Sequence, residues 1–176
     1  MDAVTFLKKY EGFTPTAIWD VNAYRIGFGS DTITNNAGDV RKVLQTDVIT
    51  IQDADRDLKR RIETEFIPKI QTKIGIGNWN KLNTGTRTAL ISLAYNYGNI
   101  TKTAIITAIK NNDKNLSKIW IDSTYNDNKK LPENIRNALR KRRLAESILI
   151  SNEKKNSFFL PIILILAGVT YLTIKK

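Results

Sequence analysis

An apolar stripe near the start of the chain ends in a carboxylate. Val4, Leu7 and Glu11 follow one another at the i, i+3 and i+7 spacing of a helix, so they share one face of a predicted helix. Gly12 comes next, and glycine very commonly ends a helix. We therefore expect a short N-terminal helix that presents Glu11 at its C-terminal end.

Aromatic and β-branched residues dominate the next segments, which alternate with turn residues. This composition is typical of short strands. Strand-like runs occupy residues 18–21, 24–28, 32–34 and 40–44. We expect from them a small antiparallel sheet of about three strands.

A helical period replaces this alternation from Thr50 onward. Residues 50–53 have the shape of a capping box, and apolar residues follow at helical spacing until an expected break near Pro68. Shorter helices are predicted over residues 84–97, 103–110, 116–121 and 133–150. The pattern indicates an α+β fold, in which a long helix joins a small N-terminal β-sheet lobe to a larger helical lobe within one domain of residues 1–150.

The last apolar run differs from the earlier ones because it has almost no polar positions. Residues 158–174 are 17 positions without a charge, preceded by a polar linker of residues 151–157 and followed by Lys175 and Lys176. As a helix the run would be about 25 Å long, close to the thickness of the hydrocarbon core of a bilayer. We predict one C-terminal transmembrane helix over residues 158–174, in preference to a buried core helix or an interfacial helix.

Charge and missing residue types narrow the possible chemistry. Lys and Arg total 28 against 17 Asp and Glu, a net charge of +11 that attracts polyanions such as nucleic acid, acidic lipid or a bacterial wall. The chain has no histidine and no cysteine. Ser-His-Asp and Cys-His nucleophiles, zinc sites with His or Cys ligands, and disulfides are therefore excluded. Acid–base chemistry falls chiefly to carboxylates.

Two carboxylates are candidates for such chemistry. Glu11 ends the apolar stripe, and the acid of a glycosidase needs an apolar setting to hold its proton near neutral pH. Asp20 lies on the first predicted strand, so the helix end and the sheet would face each other across a cleft. The alternatives are a partly buried Glu11 paired with an arginine, and Asp20 as an ordinary turn residue.

Six short motifs, taken in order, resemble those of the phage-type lysozymes and endolysins of glycoside hydrolase family 24. They are Glu11-Gly12, Asp20, residues 24–29 (YRIGFG), residues 50–55 (TIQDAD), residues 92–98 (SLAYNYG) and residues 139–146 (LRKRRLAE). The resemblance covers residues 1–150 and implies a lysozyme-like fold. It also implies that Glu11 donates a proton to the glycosidic oxygen. Asp20 would position the attacking water or stabilise the oxocarbenium-like charge.

One position departs from the family pattern. The threonine that normally follows the aspartate would fall at Ile26 or Arg25, and neither is threonine. The family threonine helps to hold the water, so its loss favours a lytic transglycosylase, whereas the retained Asp20 favours a hydrolase. Arg25 is interpreted as a wall or product contact, or as a group that orients Glu11. Its alternative is a solvated strand residue.

Four further residues are predicted to bind substrate by the same resemblance. Ser30, Asp31 and Thr32 replace the family's histidine segment, and Ser30 and Thr32 are expected to line the cleft. Tyr95 and Asn96 are expected at its floor, although Tyr95 could equally be core packing.

The expected activity is that of a muramidase, with a lytic transglycosylase or an inactive structural protein of a virion as alternatives. Expected partners are bacterial peptidoglycan, a lipid membrane contacted through residues 158–174, and other virion proteins. Nucleic acid, metals and cofactors are not expected. The basic helical positions are interpreted as a solvated face that attracts anionic wall polymer; they are Arg136, Arg140, Lys141, Arg142 and Arg143.

The expected location follows from the two ends of the chain. Its beginning shows no secretory signal. We therefore hypothesise a single-pass C-terminal anchor, either in the membrane of a membrane-containing phage particle or in the host inner membrane, with a role at infection, at lysis or at both.

Overall fold

The structure, a computed structural model, describes residues 1–127 and 129–151 of the chain. Its strands are β1 (Thr14–Asp20), β2 (Ala23–Gly27), β3 (Thr32–Thr34) and β4 (Val40–Lys42). Its α-helices are α1 (Ala3–Glu11), α2 (Ile51–Arg61), α3 (Ile67–Ile74), α4 (Ile76–Lys81), α5 (Thr84–Tyr97), α6 (Thr103–Lys110), α7 (Leu116–Thr124) and α8 (residues 133–151). The architecture is α+β, as expected, with a small β lobe and a mostly helical body.

The first helix forms as its sequence predicts. The Asp2 side chain caps α1 by accepting a 2.9 Å hydrogen bond from the backbone N–H of Thr5. Gly12 has a φ of 70°, a backbone conformation that residues other than glycine rarely adopt. This conformation ends the helix directly after Glu11. Phe6 and Leu7 are buried, so the helix is fixed to the body by its apolar face.

The β lobe consists of two separate antiparallel ribbons. One pairs β1 with β2 and the other pairs β3 with β4, so the expectation of one sheet with about three strands is wrong. Gly27 and Gly29 have φ values of 65° and 82°, which turn the chain sharply between β2 and β3. The third strand therefore cannot extend the first ribbon.

The long helix continues past its predicted break. The capping box at Thr50 is present, with Thr50 Oγ1 accepting from the backbone N–H of Asp53. A π-helical segment, Ile62–Phe66, then joins α2 to α3, and Pro68 lies in the first turn of α3. A proline in the first turn of a helix costs little, and the wider π turn before it relieves crowding by the ring, so the backbone stays helical where we predicted a break.

Other helices agree with the pattern or extend it. Helix α7 runs three residues beyond its predicted end at residue 121. Helix α4 has no counterpart among the predictions because its six residues are too few to show a period. Helix α5 is the centre of the core, with nine buried residues.

No helix within residues 1–127 and 129–151 is long and apolar enough to cross a membrane. Ser151, predicted as the first linker residue, is still helical. The rest of that linker and the predicted transmembrane helix over residues 158–174 lie outside the described residues.

Candidate active site

A cleft of about 690 Å³ lies between the first β ribbon and the helical body. Both candidate carboxylates line it, Glu11 from the end of α1 and Asp20 from the end of β1. Its other lining residues are Thr14, Ile18, Trp19, Arg25, Ile26, Gly29, Arg61, Phe66, Lys69, Tyr95, Asn96 and Gly98. The structure therefore places Glu11 and Asp20 in the lining of the same cleft, as predicted.

Glu11 is held by an arginine from the far end of the domain. Arg142 Nη1 donates a 2.6 Å hydrogen bond to Glu11 Oε1. The Glu11 side chain is 21% exposed, so it reaches the cleft while one oxygen stays bound. A Cβ built on Gly29 would lie 3.9 Å from Oε2, which shows that this second oxygen faces a wall without a side chain. The purely apolar setting expected for Glu11 is therefore absent, and the alternative of a partly buried Glu11 paired with an arginine describes the contact. Arg142 orients Glu11 through Oε1 and leaves Oε2 without a hydrogen bond to another described residue.

A buried polar network holds Arg142 in turn. Arg142 Nε donates to Ser92 Oγ at 2.9 Å, and the same hydroxyl donates to Glu146 Oε1 at 2.5 Å. The other oxygen of Glu146 accepts from the Trp120 indole at 3.0 Å. Burial raises the pKa of Glu146, although the nearby Arg143 and Arg142 oppose this effect. The network fixes the arginine, and through it the carboxyl group of Glu11.

These contacts correct the interpretation of the basic helix as a solvated face for two of its five positions, Arg142 and Arg143, whereas Lys141 is exposed as expected. Arg142 and Arg143 are 4% and 1% exposed, and both lie within 4 Å of the carboxylate of Glu146. Because a buried charge needs a partner, the Glu146 carboxylate accounts for the burial of the two arginines.

The second carboxylate, Asp20, has a more open setting. Its side chain is 62% exposed, and Arg25 Nε lies 3.7 Å from Asp20 Oδ2. Arg25 also approaches Asp31, at 3.5 Å between Nη1 and Oδ1. Ile26 is buried in a small cluster of the β lobe, so of the two positions where the family threonine could fall, Arg25 is the one that contacts Asp20.

Ser30 and Thr32 lie outside the cleft lining, contrary to the expectation. Ser30 Oγ donates to the buried carboxylate of Asp57 at 2.5 Å, and Thr32 Oγ1 donates to the same carboxylate at 3.1 Å. Thr34 donates to it as well, at 2.6 Å. These hydroxyls satisfy a buried acid on α2 and attach the β lobe to the long helix, which accounts for their position.

Tyr95 and Asn96 both line the cleft, as predicted. The Tyr95 hydroxyl donates to the Phe28 carbonyl at 2.5 Å, and its ring lies 5.1 Å from that of Phe66. Burial raises the pKa of Tyr95 far above its ordinary value. Tyr95 is thus a packed floor residue, whereas Asn96 is exposed and offers its amide to the cleft.

Sequence reasoning missed several residues of the site, of which three bear on its chemistry. Arg142 was assigned to the wrong environment, Arg61 lines the cleft with its guanidinium 5.4 Å from the Tyr95 ring centroid, and Trp19 lines the cleft rim. A signal existed for Arg142, because Glu146 follows it by one helical turn. Within the described part of the chain, no group of three or more acidic residues could hold a metal ion.

Comparison with known proteins agrees with this geometry. The profile of the family described as phage lysozyme matches residues 8–146. No curated protein sequence matches the chain. The muramidase domain of SpmX from Asticaccaulis excentricus has a similar fold, with 16% identity, a TM-score of 0.63 and coverage of 85% of this chain and 94% of that one. A crystal structure of a P22 lysozyme variant gives 18% identity, a TM-score of 0.64 and coverage of 85% and 98%. The chain therefore belongs to the phage lysozyme family and is a lysozyme-type glycoside hydrolase.

Proposed function

We propose that this protein is a muramidase that hydrolyses the β-1,4 bond between N-acetylmuramic acid and N-acetylglucosamine in peptidoglycan. The observation that carries the proposal is that Glu11, at the end of α1, and Asp20, at the end of β1, line one cleft. A glycosidase needs such a pair, one to protonate the leaving oxygen and one to serve the developing positive charge or the water.

The contacts of Glu11 favour one of its two oxygens as the proton donor. Oε1 accepts from Arg142, so a protonated Glu11 carries its proton on Oε2. That oxygen lies beside Gly29, and both Glu11 and Gly29 line the cleft. The proton passes from Oε2 to the glycosidic oxygen as the bond breaks.

Asp20 has the opposite role in this mechanism. Its exposed carboxylate stabilises the oxocarbenium-like charge or orients a water molecule for attack. Arg25 holds that carboxylate on one side of the cleft.

The test is digestion of purified peptidoglycan by the full chain, with mass spectrometry of the products. Glu11→Gln should reduce the rate by about 100-fold to 10,000-fold, because an amide cannot donate the proton. Glu63→Gln, a change to an exposed carboxylate outside the cleft, is the matched control and should keep the parent rate. Products with reducing ends support the proposal. A folded chain that releases nothing from several wall types would contradict it.

A second activity is favoured by one observation, the absence of threonine at both positions where the family threonine could fall, Ile26 and Arg25. Arg25, the one of the two that approaches Asp20, is a cation and not a hydroxyl group that could help to hold water. A lytic transglycosylase needs no water at this step, since a hydroxyl of the sugar attacks instead. Anhydro ends among the products would establish this alternative, and the same Glu11→Gln control applies to it.

We propose further that the chain is attached to a membrane through residues 158–174 and acts on the wall at infection, at lysis or at both. Support comes from the sequence alone, in which 17 uncharged positions precede two lysines. Flotation with lipid vesicles should carry the full chain upward and leave a chain that ends at residue 157 in the dense fraction. Equal behaviour of the two chains would contradict the attachment. Detection in purified phage particles would distinguish a virion component from a protein present only in lysing cells.

A further inference from the structure

The end of β1 exposes apolar side chains that no core covers. Ile18 is 56% exposed, Trp19 59% and Val21 89%. A strand over a core normally buries every second residue, but β1 has no buried residue at all. Single exposed apolar residues are ordinary on protein surfaces, whereas a run that includes tryptophan beside a cleft indicates a binding surface.

The Trp19 ring is held in one orientation by its neighbour across the ribbon. Trp19 pairs with Tyr24 in the register of β1 and β2. Their rings meet edge to face, with centroids 5.1 Å apart and an interplanar angle of 75°. Tyr24 packs in turn against the small β-lobe core that contains Ile26. A ring fixed in this way loses little freedom when a ligand binds against it.

Trp19 lies where two grooves adjoin. It lines the active-site cleft, and it also lines a second groove of about 430 Å³ on the β lobe. Arg25 is the other residue common to both. The remaining lining residues of the second groove are Asn22, Ala23, Tyr24, Asp31, Lys42 and Val43. A polymer that occupies the cleft could therefore continue past Trp19 into this groove.

We propose that Trp19 binds a sugar ring of the glycan strand, in a subsite that extends the active-site cleft along the β1–β2 ribbon. This inference rests on the proposed function, because it names a further contact for the same substrate. The axial hydrogens of a pyranose form an apolar face that stacks on an aromatic ring, while its hydroxyl groups need polar partners at the edge. The ribbon supplies both, with the Trp19 ring beside Asp20, Asn22 and Arg25.

The polar rim also favours a sugar over a purely apolar occupant. Asp20 and Arg25 line the same cleft as Trp19, and an apolar ligand in it would remove water from these charges without replacing their hydrogen bonds. The hydroxyl groups of a sugar can replace the hydrogen bonds that Asp20 and Arg25 otherwise make with water.

The experiment uses the full chain with Glu11→Gln, so that binding is measured without cleavage, and short soluble glycan strands of peptidoglycan as the probe. Trp79 and Trp120 are 6% and 0% exposed, so Trp19 is the one of the three tryptophans that can respond directly to a ligand. Saturation should shift the fluorescence of Trp19, and calorimetry measures the same binding independently.

Trp19→Ala should weaken the affinity for the glycan strands about tenfold. Trp19→Phe keeps a flat ring and should weaken that affinity about threefold or less. In the chain with Glu11 intact, Trp19→Ala should raise KM and leave kcat nearly unchanged. Leu44→Ala removes another exposed apolar side chain of the β lobe that lines neither groove, and it should bind as the parent does.

Two outcomes overturn the inference, and they are distinguishable. If the intact enzyme cleaves peptidoglycan but Trp19→Ala neither weakens binding nor raises KM, the subsite is refuted and the proposed function stands. If the intact enzyme shows no cleavage and calorimetry detects no glycan binding, the proposed function fails and the subsite fails with it.

Discussion

Replacing Ser92 by alanine should destabilise the protein far more than the loss of one hydroxyl normally does. That hydroxyl donates to Glu146 at 2.5 Å and accepts from Arg142 at 2.9 Å, all in the buried interior. A hydrogen bond to a charged group contributes about 1.5–3 kcal/mol. Arg143, 2.9 Å from the same Glu146 oxygen, offsets part of the loss. We therefore expect the free energy of unfolding to fall by about 2–4 kcal/mol.

Thermal unfolding followed by circular dichroism at neutral pH measures this effect. The expected loss lowers the Tm by about 4–16 °C for a domain of this size. Ser147→Ala is the matched control, because Ser147 is also buried but its hydroxyl donates only to the Leu144 carbonyl, at 2.9 Å. The free energy of unfolding of Ser147→Ala should fall by about 1 kcal/mol. If the two variants are equally stable, the reasoning that the Ser92 hydroxyl links two buried charges is refuted.

Three further changes test other parts of the structure. Val21→Asn should raise the free energy of unfolding by about 1 kcal/mol, because Val21 has a φ of 53° that a β-branched residue tolerates poorly; an unchanged denaturant midpoint would contradict this. Gly27→Ala should lower it by about 2 kcal/mol or more, since the new Cβ would lie 2.9 Å from that of Ala54; a Tm equal to the parent's would show that the lobe adjusts. Hydrogen bonds from Arg41 hold the pKa of Asp47 below its ordinary value, so the stability of this pair is present above that ordinary value and is lost as the pH falls through the lower pKa of the folded state. Asp47→Asn should therefore flatten the fall in Tm below about pH 4, and an identical pH profile would count against the pair.

Local signals were enough to predict the position of Glu11. The cap at Asp2, the apolar positions and the stop at Gly12 are all close neighbours in sequence, so the helix end was readable. The capping box at Thr50 was readable for the same reason. The joining of the two carboxylates at one cleft followed from the family resemblance together with these local elements.

The partner of Glu11 could not be predicted, because Arg142 lies 131 positions away and its helix resembles a solvated basic surface. The usual pattern is reversed there, with Arg142 and Glu146 buried while Leu144 and Ile148 are exposed. Hydrophobic periodicity assumes that apolar residues face the core, and it fails where a buried ionic network replaces them.

A buried polar network also explains why the positions of Ser30 and Thr32 were predicted wrongly. Polar residues after a glycine turn look exposed, and nothing local shows that a buried Asp57 on another element requires their hydroxyls. Such a pairing becomes visible only when the β lobe and the long helix are placed together.

The contact between Glu11 and Arg142 also bears on when Glu11 acquires its partner during synthesis of the chain. Glu11 lies on the first helix and Arg142 on the last helix of the described chain, so a ribosome makes the acid early and its partner late. A nascent or prematurely terminated chain shorter than 142 residues contains the acid but lacks the group that orients it. Glu11 and the arginine that orients it are therefore brought together only after translation has passed Arg142.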